Sequence, residues 1–172
     1  MVLRMGHRPG RDRRISTHVA LAARALGADG IIFSEYSAKK TKKSLEKVNR
    51  KWGGSFFVEG DENWREVIQD WHSSGGKVVH LSMYGLPLGE EVPKLRGDDI
   101  LIIVGAEKVP SEVYELADLN ISVGNQPHSE ISAMAIFLDR FFDGKELGKN
   151  FSGAKRKIVP SNSGKEVKKV SD

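Results

Sequence analysis

The sequence predicts one α/β domain, a mostly parallel sheet flanked by helices, followed by a short basic C-terminal hairpin or tail. Three observations lead there. Apolar runs of strand length alternate with segments of helical period, and each run is closed by a turn-forming stretch. The 172 residues, 39% hydrophobic and 29% charged, also suffice to bury one core.

In chain order, the first helix is expected to start at a Ser16 or Thr17 cap, run through HVALAARALG and stop at Gly27. Arg24 interrupts that Ala/Leu stretch, and periodicity alone sends its head to solvent. GIIF, Gly30 to Phe33, reads as a strand. Ser37 to Trp52 reads as a helix with Leu45, Val48 and Trp52 on one face and lysines on the other. SFFV, Ser55 to Val58, is the next strand; Trp64, Val67, Ile68 and Trp71 then repeat at helical spacing within DENWREVIQDWH. KVVHLSM, DILIIVG and LNISVG supply three more strands, with a short helix over SEVYELAD between the last two. SEISAMAIFLDRFF is apolar nearly all round and predicts a buried helix. Beyond Gly144 the pattern changes: AKRKIVPSNSGKEVKKV carries two basic strand-like runs around a Ser-Asn-Ser-Gly turn, with Pro160 fitting only an edge strand. Residues 1–148 are therefore expected to form the domain and 149–172 a basic extension.

Composition removes several function classes. There is no cysteine, hence no disulfide, thiolate metal site or cysteine nucleophile. No apolar run reaches the roughly 20 residues that span a bilayer, and Met1 leads into arginines, which points to the cytoplasm. G-x-G-x-x-G after a strand, G-x-x-x-x-G-K-[ST] and G-x-S-x-G are all absent, which disfavours a dinucleotide fold, a P-loop enzyme and an α/β-hydrolase. His7, His18, His72, His80 and His128 show no metal-ligand spacing. The charges, however, are sorted. Met1 to Arg14, Lys39 to Lys51 and Lys149 to Asp172 carry net charges of +4, +6 and +5, against −10 from Trp52 to Gly148. Such sorting suits either a body whose edges meet a polyanion or simply well-solvated faces.

In open α/β sheets ligands lie beyond the carboxyl ends of strands. Three strand-end loops here are dense in small and polar residues: LSMYG, VGAEKVP and VGNQPHSE. Gly85, Gly105 and Gly124 allow backbone to approach a ligand closely. One such loop is an ordinary turn, whereas three together indicate a small-molecule pocket.

The segments GHRPGRDRRISTHVALAARALGAD, VVHLSMYG and LIIVGAEKVPSEVYELADLNISVGNQPHSEISAMAIFLDR, spanning about Met5 to Arg140, resemble the archaeal-type tRNA cytidine-56 2′-O-methyltransferases, a family of the SPOUT superfamily. The resemblance implies a deep trefoil knot in the C-terminal part, which general topology rules argue against, and a homodimer. It implies a bent S-adenosylmethionine held largely by main-chain contacts. The first loop would contribute Leu81, Ser82, Met83, Tyr84 and Gly85, and the second Val104, Gly105, Ala106, Glu107 and Lys108. The third would contribute Ile121, Ser122, Val123, Gly124, Asn125, Gln126, Pro127, His128 and Ser129.

Related ribose methyltransferases carry an Asn followed six residues later by a catalytic Arg; His18 and Arg24 stand at that spacing, so the resemblance makes Arg24 catalytic and leaves position 18 without a carried-over role. Where relatives often have Ser-Leu-Asn, this chain reads His128, Ser129 and Glu130. In the implied reaction a ribose 2′-oxygen displaces a thioether, and a guanidinium suits the developing alkoxide. Arg4, Arg8, Arg11, Arg13 and Arg14 are expected to hold tRNA phosphates. Two alternatives stand beside this reading: a ribose or base methyltransferase with another RNA target, and a non-catalytic RNA-binding module.

Overall fold

A computed structural model describes residues 1–12 and 14–170. Six strands form one sheet, in order along the chain β1 (Val2–Met5), β2 (Gly30–Ser34), β3 (Phe57–Glu62), β4 (Lys77–Pro87), β5 (Ile100–Gly105) and β6 (Leu119–Ser122). Every pair is parallel, and the spatial order is β3-β2-β1-β5-β4-β6. Between them run α1 (Ile15–Ala25), α2 (Lys39–Trp52), α3 (Trp64–Ser73), the single turn α4 (Leu88–Glu91), α5 (Glu112–Leu116) and, after β6, α6 (Glu130–Phe142). Parallel strands need such crossovers, and the crossovers cover both faces of the sheet.

Strand alternation sorts the core into two layers. Val2, Ile31, Val79, Ile102 and Ile121 pack with Val19, Ala23, Leu45 and Phe137 of α1, α2 and α6. Leu3, Met5, Val78, Leu101 and Ile103 pack with Trp64, Ile68 and Val113 of α3 and α5. Gly27 closes α1 at φ +92°, where a Cβ would meet the Phe142 ring at 3.0 Å. Only glycine fits both the angle and the space.

Three sequence expectations change. β1 was not expected, because VLRM is short and contains a charge, yet it lies between β2 and β5 in the middle of the sheet. α1 starts at Ile15 without a side-chain cap; Ser16 Oγ instead donates to the Asp12 carbonyl at 3.1 Å. Arg24 is 7% exposed, not a surface residue. Among the described residues no helix is long and apolar enough to cross a membrane.

The C-terminal segment crosses back over the end of α2, where the Gly54 N–H donates to the Ser152 carbonyl at 2.8 Å. It then forms an antiparallel hairpin of β7 (Arg156–Val159) and β8 (Glu166–Lys169). Arg156 stands opposite Lys169 and Lys157 opposite Lys168, pairings that repel unless an anion lies nearby.

His80 in β4 is buried against the edge of the Tyr114 ring at 4.6 Å, with Nδ1 at 2.9 Å from Asn120 Oδ1. Burial lowers its pKa from the ordinary 6.5, opposed by the Asn120 hydrogen bond. The unfolded chain therefore takes up this proton before the folded one does. Stability is expected to be full above pH ~6.5 and to fall as pH drops through the folded-state value. Thermal melts across this range should show a slope that a His80→Gln variant flattens; equal slopes would exclude His80 as the cause.

Candidate functional site

The site forms at the carboxyl ends of β1, β5 and β6, beside a bulge within β4. β4 pairs with Ile121 of β6 twice, through Leu81 and again through Leu86, so Ser82 to Gly85 bow out of the ladder. Gly85 lies directly on β6: a Cβ there would stand 2.5 Å from the Asn120 carbonyl oxygen and 2.6 Å from Ile121 N. The loop after β5 turns as tightly, since a Cβ on Gly105 would meet Val109 Cγ1 at 2.6 Å and the Glu107 carbonyl at 2.7 Å. The third loop is held by its polar groups. Asn125 Nδ2 donates to the Met83 carbonyl at 2.7 Å, Ser122 Oγ accepts from the Gly124 N–H at 3.1 Å, and Ser129 caps α6 by accepting from the Ser132 N–H at 3.3 Å.

These three loops meet in a cleft of about 490 Å³. Leu81 and Met83, then Val104, Gly105, Ala106 and Glu107, then Pro127, His128 and Ser129 line it. Two further hollows lie along the same loops, and the first shares Leu81, Met83, Gly105 and Glu107 with the cleft. One, of about 530 Å³, adds Ser82, Tyr84 and Lys108 beside Tyr114, whose hydroxyl lies 2.8 Å from Ser82 Oγ. The other, of about 770 Å³, lies behind the third loop and takes Ser122, Val123, Gly124 and Asn125. The larger hollow touches only one of the three loops, so the smaller cleft is the candidate site. Ile121 belongs to the core, Gly85 serves loop packing, and exposed Gln126 lines none of the three spaces.

Four cleft residues lie outside the sequence expectation, Ile15, Glu130, Ile131 and Ala133, and Arg8 and Arg11, expected on tRNA, line the wall as well. The signal for Glu130 was legible in principle, because it follows the Ser129 cap of a helix that must begin beside the loop. Ile15 was not, since only tertiary packing turns the start of α1 towards the loops.

The basic N-terminal segment divides. Arg4 is fully buried, and its guanidinium meets Glu130, Asp12 and Ser16 within the fold. This corrects its expected role on tRNA: β1 carries it into the interior. Arg13 lies outside the described residues, and Arg14 is exposed but not on the cleft. Arg8 and Arg11 line the cleft together with Glu107 and Glu130. Arg8 is fixed by Asp12, whose carboxylate accepts from the Arg8 N–H at 3.0 Å and lies 3.4 Å from its guanidinium. Burial would raise the Asp12 pKa, but hydrogen bonds from Arg8 and the charges of Arg4 and Arg8 outweigh it and hold the carboxyl below its usual value.

Arg24 sits at the opposite end of α1. Nine residues separate it from Ile15, roughly 14 Å along a helix, and it lines none of the cleft. Its Nε donates to Asn49 Oδ1 at 2.9 Å and Nη2 to the Gly53 carbonyl at 2.6 Å, with the Phe151 ring 4.4 Å from its guanidinium carbon. Within its own subunit Arg24 joins α1, α2 and the C-terminal segment and does not reach the loops. His18 is exposed six residues before it.

Comparison with known proteins shows the family and the fold. Residues 52–168 match a family model described as tRNA ribose 2′-O-methyltransferase, aTrm56. The chain is 54% identical over 175 residues to a Pyrococcus horikoshii protein named tRNA (cytidine(56)-2′-O)-methyltransferase, covering 99% of this chain and 85% of that one. A Methanocaldococcus jannaschii protein of the same name is 57% identical over 170 residues, with 96% and 94% covered. Among solved structures, the Aquifex aeolicus TrmH/SpoU tRNA modifying enzyme superposes with a TM-score of 0.63 at 18% identity, covering 88% of this chain and 79% of that one. The SpoU methyltransferase AviRb from Streptomyces viridochromogenes, solved with AdoMet, gives 0.59 at 19% identity and 84% coverage of this chain, which spans 57% of AviRb.

Proposed function

The chain belongs to the tRNA ribose 2′-O-methyltransferase family, and from that membership we propose that its three-loop cleft holds S-adenosylmethionine while Arg8 and Arg11 receive the tRNA beside it. The reaction is methylation of the 2′-oxygen of cytidine 56 in tRNA, the activity for which its relatives are named. The meeting of all three loops in one space, with two arginines on its wall, carries this reading.

The residues fit the donor. About 490 Å³ lies within the ~300–1,000 Å³ usual for small-ligand sites, and the loops expose backbone that reads an adenine by its N–H and C=O groups. Glu107 and Glu130 offer carboxylates to a cationic ligand, and Arg8 and Arg11 offer guanidinium groups to a carboxylate or phosphate. When bound, the donor supplies an electrophilic methyl on a sulfonium. The protein's task is then to align the ribose oxygen and favour loss of its proton. Among the described residues of this subunit the guanidinium groups on the cleft are those of Arg8 and Arg11; Arg24 would enter from a second subunit.

Three further readings extend the proposal. The double pairing of β4 with β6 around a bowed loop, with β5 inserted between β1 and β4, suits a trefoil knot. A homodimer would bring a second α1 towards the cleft. The basic face of α2 and the like-charge pairs of the β7–β8 hairpin extend the polyanion surface, so residues 149–172 act as an RNA-binding extension of the 1–148 domain.

Mass spectrometry of tRNA incubated with the protein and S-adenosylmethionine is expected to show one added methyl on the ribose of cytidine 56. A methyl on a base or on another ribose would replace the target, and absence of both methylation and donor binding would return the chain to an RNA-binding module.

A further inference from the structure

Arg4 and Glu130 stand 126 positions apart, on β1 and at the first turn of α6, yet meet through two hydrogen bonds, Nε at 3.0 Å and Nη2 at 2.7 Å from Oε1. Nη1 of Arg4 donates to Ser16 Oγ at 3.2 Å and to the Gly6 carbonyl at 3.4 Å, and Nη2 lies 3.4 Å from Asp12 Oδ2. A guanidinium has five N–H groups in a rigid fork; here it makes four hydrogen bonds, to Glu130, Ser16 and Gly6, and the Asp12 carboxylate adds an ion pair. Asp12 in turn grips Arg8. The result is a chain of alternating charge, Glu130, Arg4, Asp12, Arg8, in which the two inner members are fully buried and the two outer ones line the cleft.

Removing the charges of Arg4 and Asp12 from water is costly, and apolar residues of similar volume often stabilise a fold as well or better. Stability alone does not account for the arrangement. Its geometry does something an apolar cluster cannot, because Glu130 directly follows the third loop and Arg8 lies on the loop between β1 and α1. No single secondary-structure element holds both. We propose that Arg4 is the positioning residue of the donor cleft, setting the third loop through Glu130 and the tRNA-facing Arg8 through Asp12 in one fixed relation.

The proposal rests on the donor-cleft reading, and its test separates the two. Binding of S-adenosylhomocysteine to the wild-type protein is measured first by calorimetry; no binding sinks the cleft reading itself. With binding present, Arg4→Met is expected to lower the thermal midpoint by leaving Glu130 and Asp12 short of a partner. Adding Glu130→Leu removes one of the two stranded carboxylates and should recover part of the midpoint but not function: product affinity stays weaker by about ten-fold and kcat/KM for tRNA by about 100-fold. If the double variant regains affinity and turnover together with its midpoint, Arg4 is structural only and the proposal fails.

Should the double variant not fold, Arg4→Lys decides. A lysine keeps the charge but not the fork, so kcat/KM should fall about ten-fold with the midpoint nearly unchanged; unchanged kinetics would overturn the proposal. The two ends should also separate. Asp12→Asn is expected to raise KM for tRNA with product affinity retained, and Glu130→Gln to weaken product affinity with KM for tRNA retained. The reverse pattern, or no split, contradicts positioning through these two arms.

Discussion

Replacing Gly85 with alanine is expected to weaken S-adenosylmethionine binding by about ten-fold or more, while Gly124→Ala leaves the fold unperturbed. The added Cβ at position 85 would sit 2.5 Å from the Asn120 carbonyl oxygen and 2.6 Å from Ile121 N, both backbone atoms of β6 that no rotamer change can move. The first loop must therefore lift from the strand that leads into the third. Overpacking of this kind costs about 1–3 kcal/mol, and the displacement falls on Met83, whose carbonyl anchors Asn125 and whose side chain lines the cleft. A Cβ on Gly124, by contrast, meets nothing within 4 Å. Calorimetry with the donor and thermal melting of both variants provide the check. Retained affinity in Gly85→Ala would mean that the loop pairing can shift without disturbing the cleft, and weakened affinity in Gly124→Ala would place the donor against that residue.

The arginines should separate just as sharply. Arg8→Ala/Arg11→Ala is expected to lose about 100-fold or more in turnover, as when an oxyanion donor is removed, with its thermal midpoint lowered only by loss of the Arg8–Asp12 pair. The slope of log affinity for tRNA against log salt should also fall, by about one per phosphate contact removed. Arg24→Ala is expected to do the opposite. It strips partners from Asn49 and from the buried end of α2 at Gly53, and removes the cation stacked on Phe151, so it should cost stability of about 1–3 kcal/mol. Its activity should follow the folded fraction. Loss of turnover well beyond that fraction, with donor binding intact, would show Arg24 acting in a second subunit's cleft.

The contrast between these arginines shows where sequence is legible. The alternation of strand and helix follows from hydrophobic period, a local property, and five of the six sheet strands were read from it. β1 was lost because Arg4 interrupts a run of only four residues, and a buried charge is intelligible only once Glu130 and Asp12 are seen beside it. Arg24 was read as exposed for the same reason: its partners Asn49, Gly53 and Phe151 are 25, 29 and 127 positions away. The three loops were recognisable because their glycines and polar groups are local necessities of strand ends. Their division among one shared cleft and two flanking hollows was not.

By itself the sequence determined the α/β class, the loops that would carry a ligand, the segregation of basic charge and, through its motifs, the methyltransferase family. Only the tertiary structure decided which arginines face the cleft and which are walled in, and that Glu130 belongs to the site through Arg4. The reason is physical. Backbone period and turn chemistry are encoded within a few residues, whereas the environment of a charge is set by whatever distant segments fold against it, and a guanidinium reads the same in sequence whether it meets solvent, a phosphate or a buried carboxylate.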